Sequence, residues 1–127
     1  MSFSLSKRTL DNLKGVHPDL VKVVVAAAAL SPIPFDITEG LRTEDRQRQL
    51  LAQGKSQTMN SRHLTGKAVD FVALANGTVS WELPLYKQIS DSFKRAATTL
   101  KIAIQWGGDW EHFKDSDHIE LDSKSYP

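Results

Sequence analysis

The sequence contains no cysteine, so neither disulfides nor thiolate metal ligands contribute to this protein. It also lacks long apolar runs: the apolar stretch at residues 23–30 is far shorter than the ~20 residues that a membrane-spanning helix requires. Residues 1–7 contain no apolar core of the kind found in signal peptides, so we expect a protein without a signal peptide. Any metal ion must be bound through histidine and carboxylate groups.

An excess of one charge is missing as well. Sixteen basic residues face fifteen acidic ones, for a net charge of +1, which gives no reason to expect nucleic acid as a partner. The length of 127 residues is sufficient for one hydrophobic core. We therefore expect a single domain over residues 1–127, acting as a monomer without stable membrane association.

Hydrophobic periodicity predicts helices alternating with short strands. Apolar residues recur every three or four positions in the segment with Leu85, Ile89 and Phe93, as in an amphipathic helix. Residues 55–62 are polar and predict a loop. The predicted helices cover residues 18–30, 43–54 and 84–100, and the predicted strands cover residues 35–40, 68–73, 78–81, 102–106 and 118–121. This order predicts an α+β fold in which a small antiparallel sheet packs on one side against helices.

Three potential metal ligands lie on or beside two of these strands. His63 precedes the strand that carries Asp70, and Gly66 permits a turn between them. If that strand lies next to the one that begins at His118, the three side chains can converge on one ion. Two imidazoles and one carboxylate suit Zn²⁺ and leave a coordination position open for water, as in catalytic zinc sites.

A catalytic base and an anion-binding group can also be proposed. Asp115 precedes His118 by three residues and is placed to accept a proton, whereas Asp117 should point away from His118 if the strand has already begun. Arg42 follows the strand at residues 35–40 and could stabilise an oxyanion or bind a substrate carboxylate.

Each of these residues also has a purely structural interpretation. His63 could be a surface or capping residue, His118 could be a polar cross-strand residue, and Asp115 could belong to a solvated acidic turn. Ser61 could contact substrate or only shape its loop. Among the three tryptophans, Trp110 is the one we expect to line a substrate cleft, although all three could be core residues.

The segment at residues 61–70, Ser-Arg-His-Leu-Thr-Gly-Lys-Ala-Val-Asp, resembles the Ser-x-His-x-x-Gly-x-Ala-x-Asp signature of zinc D-Ala-D-Ala peptidases and L-alanyl-D-glutamate endopeptidases. The chain is most similar to the compact phage endolysins of that group. Residues 40–43 resemble their arginine segment, residues 106–110 resemble a segment before the last metal ligand, and residues 118–121 resemble the segment that carries this ligand.

The resemblance implies that His63, Asp70 and His118 bind zinc and that the substrate is bacterial peptidoglycan. Many relatives have Glu three residues before the last histidine, where this chain has Asp115. The short segment between Trp110 and His118 leaves little room for a lid, which favours cleavage within the stem peptide, between L-Ala and D-Glu. A phage lysis enzyme of this kind stays in the host cytoplasm until a separate pore protein releases it to the wall.

Two alternatives remain open at this point. A D-Ala-D-Ala carboxypeptidase or dipeptidase would use the same zinc site on a different bond. A non-catalytic wall-binding module would hold the metal only as a structural element, for which a fourth protein ligand would be expected.

Overall fold

The computed structural model describes residues 5–55, 61–110 and 115–127. Within these ranges the secondary structure alternates between helices and short strands, with two brief 3₁₀ helices at Arg62–Thr65 and Gly107–Asp109. The α-helices are α1 (Lys7–Asn12), α2 (Pro18–Leu30), α3 (Glu44–Ala52) and α4 (Leu83–Leu100), and the strands are β1 (Phe35–Glu39), β2 (Ala68–Ala75), β3 (Thr78–Ser80), β4 (Ile104–Trp106) and β5 (His118–Leu121).

All strand pairs of the described sheet are antiparallel, and β2 lies at its centre. The strand order is β1-β2-β5-β4, and β3 pairs with the far end of β2. In the β2–β5 pair, Asp70 lies directly opposite His118 and Val69 lies opposite Ile119. The predicted neighbourhood of these two strands is therefore confirmed.

Side-chain alternation divides the sheet into a core face and a site face. Val69 and Phe71 of β2 and Ile119 of β5 are fully buried in one hydrophobic cluster with residues of α2 and α4. Phe35 and Phe93 join the same cluster, with their ring centroids 5.3 Å apart. Asp70 and His118 point to the opposite face because residues alternate sides along a strand. The predicted α+β class, with a small antiparallel sheet and packed helices, is confirmed.

Helix starts follow local capping rules. Pro18 occupies the first turn of α2, where a missing N–H costs nothing, and Nδ1 of His17 accepts a hydrogen bond from the backbone of Asp19. Oγ1 of Thr43 caps α3 by accepting from the backbone N–H of Arg46. This cap fixes the direction of the chain immediately after Arg42.

Two elements differ from the sequence-based expectation. Helix α1 was not predicted, because six residues are too few to show a periodic pattern. It is held by tertiary contacts, since Oγ1 of Thr9 accepts a hydrogen bond from the backbone of Ile37 in β1 at 2.9 Å. The second is the 3₁₀ helix that begins at Arg62, inside the predicted loop; residues 56–60 of that loop lie outside the described ranges.

Among the described residues, none of the helices is both long enough and apolar enough to span a bilayer.

Candidate metal centre and active site

His63 is fixed by the short 3₁₀ helix that precedes β2. Oγ of Ser61 caps this helix by accepting from the backbone N–H of His63 at 3.2 Å, and Gly66 ends it with a φ of +70°. A Cβ at Gly66 would lie 2.4 Å from the carbonyl oxygen of Gly15, so no larger residue fits there. Nδ1–H of His63 donates to the carbonyl of Gly40 at 2.8 Å, which leaves Nε2 facing Asp70.

Asp70 lies between the two histidines. Its Oδ1 is 3.2 Å from Nε2 of His63 and 3.2 Å from Nδ1 of His118. The other ring nitrogen of His118, Nε2, donates to Oε1 of Glu120 at 2.9 Å. Both rings therefore use one nitrogen to bind a fixed acceptor and present the other to the same carboxylate.

These three side chains form a group that could hold a metal ion. One donor atom from each of His63, Asp70 and His118 lies within 4.8 Å of the other two. His63 is 2% exposed and His118 is 7% exposed, so the donors are shielded from bulk water. Two imidazole nitrogens and one carboxylate oxygen are ligands suited to a first-row transition metal.

The electrostatics of the group match that interpretation. Burial alone would raise the pKa of Asp70, but hydrogen bonds from His118 and His63 outweigh it and hold the pKa well below the usual range. Burial alone would lower the pKa of His118, but its hydrogen bonds to Asp70 and Glu120 raise it to about 9. In the metal-free protein the cluster therefore binds a proton where a cation would bind.

Two further carboxylates border the centre. Carboxylate oxygens of Asp70, Asp115 and Asp117 lie within 4.8 Å of one another, and Oδ2 of Asp115 is 3.9 Å from Nδ1 of His118. The sequence analysis expected Asp117 to point away from His118. The structure differs, because the carboxylate of Asp117 lies beside the centre. Asp117 lies in the turn before β5, where strand alternation does not apply. Burial and a hydrogen bond with Asp115 raise the pKa of Asp117 to about 8.

The position of Asp115 depends on Gly107. The backbone N–H of Asp115 donates to the carbonyl of Gly107 at 3.1 Å. A Cβ on Gly107 would lie 2.2 Å from the carbonyl oxygen and 3.0 Å from the Cβ of Asp115. Only glycine permits this close approach, which brings Asp115 to the edge of the candidate metal-binding group.

Arg42 lies next to Asp70 and is largely buried, with its side chain 9% exposed. Its Nη2 is 3.5 Å from Oδ2 of Asp70, and its Nη1 donates to Gln47 at 2.8 Å and to Ser61 at 3.3 Å. Nε forms an ion pair with Glu39. The guanidinium thus holds the second oxygen of Asp70 while its first oxygen faces the histidines.

Trp110 packs beside the imidazole ring of His118. The two ring centroids are 5.2 Å apart with an angle of 50° between the planes, and the indole is half-buried. The predicted site residues Arg42, Ser61, Trp110 and Asp115 are therefore all found around the three candidate ligands.

Comparison with known proteins identifies the family. Residues 1–126 match a family model described as "Phage L-alanyl-D-glutamate peptidase". The chain belongs to this family. It is 35% identical over 130 aligned positions to the "L-alanyl-D-glutamate peptidase" of Escherichia phage T5, which covers 99% of this chain and 94% of that protein.

Two further family comparisons agree. The chain is 32% identical over 109 positions to the "Peptidoglycan L-alanyl-D-glutamate endopeptidase CwlK" of Bacillus subtilis, which covers 76% of this chain and 65% of that protein. The crystal structure of the Serratia marcescens "L-Ala D-Glu endopeptidase ChiX" superimposes with a TM-score of 0.93 at 47% identity, which covers 100% of this chain and 94% of that chain. The resemblance to the endopeptidase group is confirmed.

Two residues in this family member were not recognised as site residues from sequence. Glu120 shares a strand face with His118 and contacts its ring, a relationship that the alternation of β5 could have indicated. Gly107 supports Asp115 through backbone contacts, and no local pattern in the sequence indicates such a contact between positions eight residues apart.

Proposed function

We propose that this chain is a zinc-dependent endopeptidase that hydrolyses the L-Ala–D-Glu bond of the peptidoglycan stem peptide. The observation that carries the proposal is the convergence of His63, Asp70 and His118 in a chain whose named relatives are L-alanyl-D-glutamate peptidases. On this proposal residues 1–127 act as one catalytic domain. The phage origin of one of these relatives supports a role in phage lysis.

Nε2 of His63, Oδ1 of Asp70 and Nδ1 of His118 would hold the zinc ion. Three protein ligands of this kind are typical of catalytic rather than structural sites. When bound, zinc supplies a Lewis acid that polarises a carbonyl and lowers the pKa of water toward ~7. The hydrogen bonds to Gly40 and Glu120 keep both imidazoles in the orientation that binding requires.

Asp115 is the proposed general base and acid. Its carboxylate accepts the proton of the attacking water and then donates it to the leaving amine nitrogen of D-Glu. The 3.9 Å distance between Oδ2 of Asp115 and Nδ1 of His118 supports this role, because it brings the carboxylate next to the proposed ligands. Its side chain is 39% exposed, so it can reach a substrate that enters from solvent.

Arg42 is proposed to act through Asp70. Its contacts with Asp70, Glu39 and Ser61 occupy the guanidinium and favour positioning of the carboxylate over direct contact with the substrate. Ser61 would hold both Arg42 and the backbone of His63. Trp110 would provide an aromatic wall beside His118 for the peptide to pack against.

Digestion of purified peptidoglycan followed by mass spectrometry tests the proposal. We expect fragments with new D-Glu amino termini and no free D-Ala. Free D-Ala as the main product would assign the site to a D-Ala-D-Ala carboxypeptidase or dipeptidase. His63→Ala, Asp70→Ala and His118→Ala should each lose both bound zinc and lysis, whereas His17→Ala is the control, because the ring of His17 contacts Tyr126 instead of the centre.

A further inference from the structure

A separate pocket borders Asp117. Its volume is about 300 Å³, and the described residues that line it are Trp81, Leu83, Tyr86, Ser116 and Asp117. Trp81 is 66% exposed and Leu83 is 58% exposed, the two highest exposed fractions among the large apolar side chains of the described residues. Exposed apolar surface next to a catalytic cleft is typical of ligand-binding grooves.

The pocket and the candidate active site share Asp117. This side chain lines the pocket, and its carboxylate also lies within 4.8 Å of oxygens of Asp70 and Asp115. A group bound in the pocket would therefore contact a residue that also borders the candidate metal centre.

The aromatic wall of the pocket is rigid. The rings of Trp81 and Tyr86 stack with a centroid distance of 5.7 Å and an angle of 4°. The hydroxyl of Tyr86 donates to the carbonyl of Ser80 at 2.7 Å and accepts from the backbone of Ala73 at 3.1 Å. The exposed face of the indole is thus held in place before any ligand binds, which reduces the entropic cost of binding.

The chemistry of the lining favours a ligand that carries no negative charge and has one apolar face and several polar groups. No Lys or Arg is among the five described lining residues, so these residues offer no cationic partner for the carboxylates of the stem peptide. The indole offers a flat apolar surface, and Ser116 and Asp117 offer hydrogen-bonding groups at its edge.

We propose that this pocket binds the N-acetylated amino-sugar ring to which the stem peptide is attached. The inference rests on the proposed function, because it takes peptidoglycan as the substrate. In peptidoglycan the lactyl carboxyl group of muramic acid forms an amide with L-Ala, so the sugar is neutral where it joins the peptide. The sugar lies about 7 Å from the scissile carbonyl, roughly twice the distance between consecutive Cα atoms of a peptide.

The test compares two substrates that share one stem peptide. In one the amino group of L-Ala is acetylated, and in the other it carries the muramyl disaccharide. Trp81→Ala should raise KM for the sugar-linked substrate about three- to tenfold, on the scale of one aromatic contact, and leave kcat unchanged. KM for the acetylated peptide should not change. Trp81→Phe should restore most of the loss.

Two controls separate this effect from a loss of structure. Val25→Ala removes an apolar side chain on α2 that is 50% exposed and does not line the pocket, and it should leave both KM values unchanged. Zinc content of Trp81→Ala should equal that of the wild type. Equal KM increases for both substrates would assign the pocket to the peptide, and unchanged KM values would overturn a binding role.

A cationic occupant is the remaining alternative. If the KM increase requires the free amine of the diamino acid in the stem peptide and disappears when this amine is acetylated, the sugar assignment is wrong. Calorimetric titration with muramyl-L-Ala, which contains no scissile bond, measures the pocket independently of catalysis. Weaker binding of muramyl-L-Ala by Trp81→Ala than by the wild type would support the sugar-binding pocket, whatever the outcome of the cleavage assay. Failure of the wild type to cleave either substrate would contradict only the proposed function.

Discussion

The Nε2–H of His118 donates to Oε1 of Glu120 at 2.9 Å, two residues further along the same face of β5. The Glu120 side chain is 12% exposed, and its other oxygen is 3.8 Å from Nε of Arg62. Arg62 in turn donates from Nη2 to the carbonyls of Leu121 and Tyr126. The carboxylate therefore orients a candidate metal ligand and is itself held by the residue that precedes His63.

Glu120→Ala should weaken zinc binding by about 10- to 100-fold, the range expected for loss of a hydrogen-bond partner of a ligating histidine. Glu120→Gln should have a smaller effect, because its amide oxygen can still accept from Nε2. Competition with a chromophoric chelator measures the affinity. Glu44→Ala, which removes a largely exposed glutamate from α3, is the matched control. Unchanged zinc affinity in Glu120→Ala would exclude the positioning role.

Asp115→Asn should retain zinc and fold but lower kcat by at least ~10²-fold, since the amide cannot accept the proton of water. Asp117→Asn should be milder, although the structure places Asp117 closer to the centre than the sequence analysis expected. Steady-state kinetics with matched zinc determinations separates the two variants. An inactive Asp117→Asn together with an active Asp115→Asn would transfer the role of base to Asp117.

The sequence was sufficient to predict the strands that carry Asp70 and His118, but not the 3₁₀ helix that carries His63. Alternation in residues 68–73 and 118–121 predicted which face of each strand carries Asp70 and His118. The adjacency of the two strands was only a condition of the predicted site, and the structure meets it with these residues opposite each other. Period-two alternation failed at Asp117, because that residue precedes the strand. Arg42 was located correctly, but its enclosure by Glu39 and Asp70 depends on tertiary packing that a linear pattern does not contain.

The stability of the metal-free protein should fall as the pH rises above neutrality. The pKa of His118 is raised from 6.5 to about 9 in the folded state. Its protonation therefore contributes fully to the free energy of unfolding below pH 6.5, and this contribution is lost as the pH rises through 9. The pKa of Asp117 is raised from 3.8 to about 8, so its titration also lowers the stability as the pH rises between these two values. Asp70 acts oppositely, but its contribution is already complete above pH 3.8.

Thermal unfolding with excess chelator, measured from pH 6.5 to 9, should show this decrease in Tm. The increase in Tm produced by added zinc should grow over the same range, because the ion competes with the proton of His118. His118→Gln should show a flatter profile without metal. If the Tm of the metal-free protein rose toward pH 9, a stabilising proton on His118 would be contradicted.

Gly107→Ala should damage catalysis more than metal binding. The added Cβ would lie 2.2 Å from the carbonyl oxygen of Asp115, so the backbone that carries the proposed base must move. A displacement of ~1 Å at a catalytic group can cost up to about 10²-fold in rate, and we expect kcat to fall by about 10- to 100-fold. Zinc affinity should fall less than in Glu120→Ala, because no ligand lies within the new contact.

Gly77→Ala provides the control for a general loss of stability. Gly77 has a φ of +78°, which strains an alanine, but no atom lies within 4 Å of the added Cβ. This variant should therefore unfold at a lower temperature and keep the wild-type kcat. If Gly107→Ala also kept the wild-type kcat, the close contact with Gly107 would not determine the position of the base. A low kcat in Gly107→Ala with retained zinc would link this glycine to the placement of Asp115.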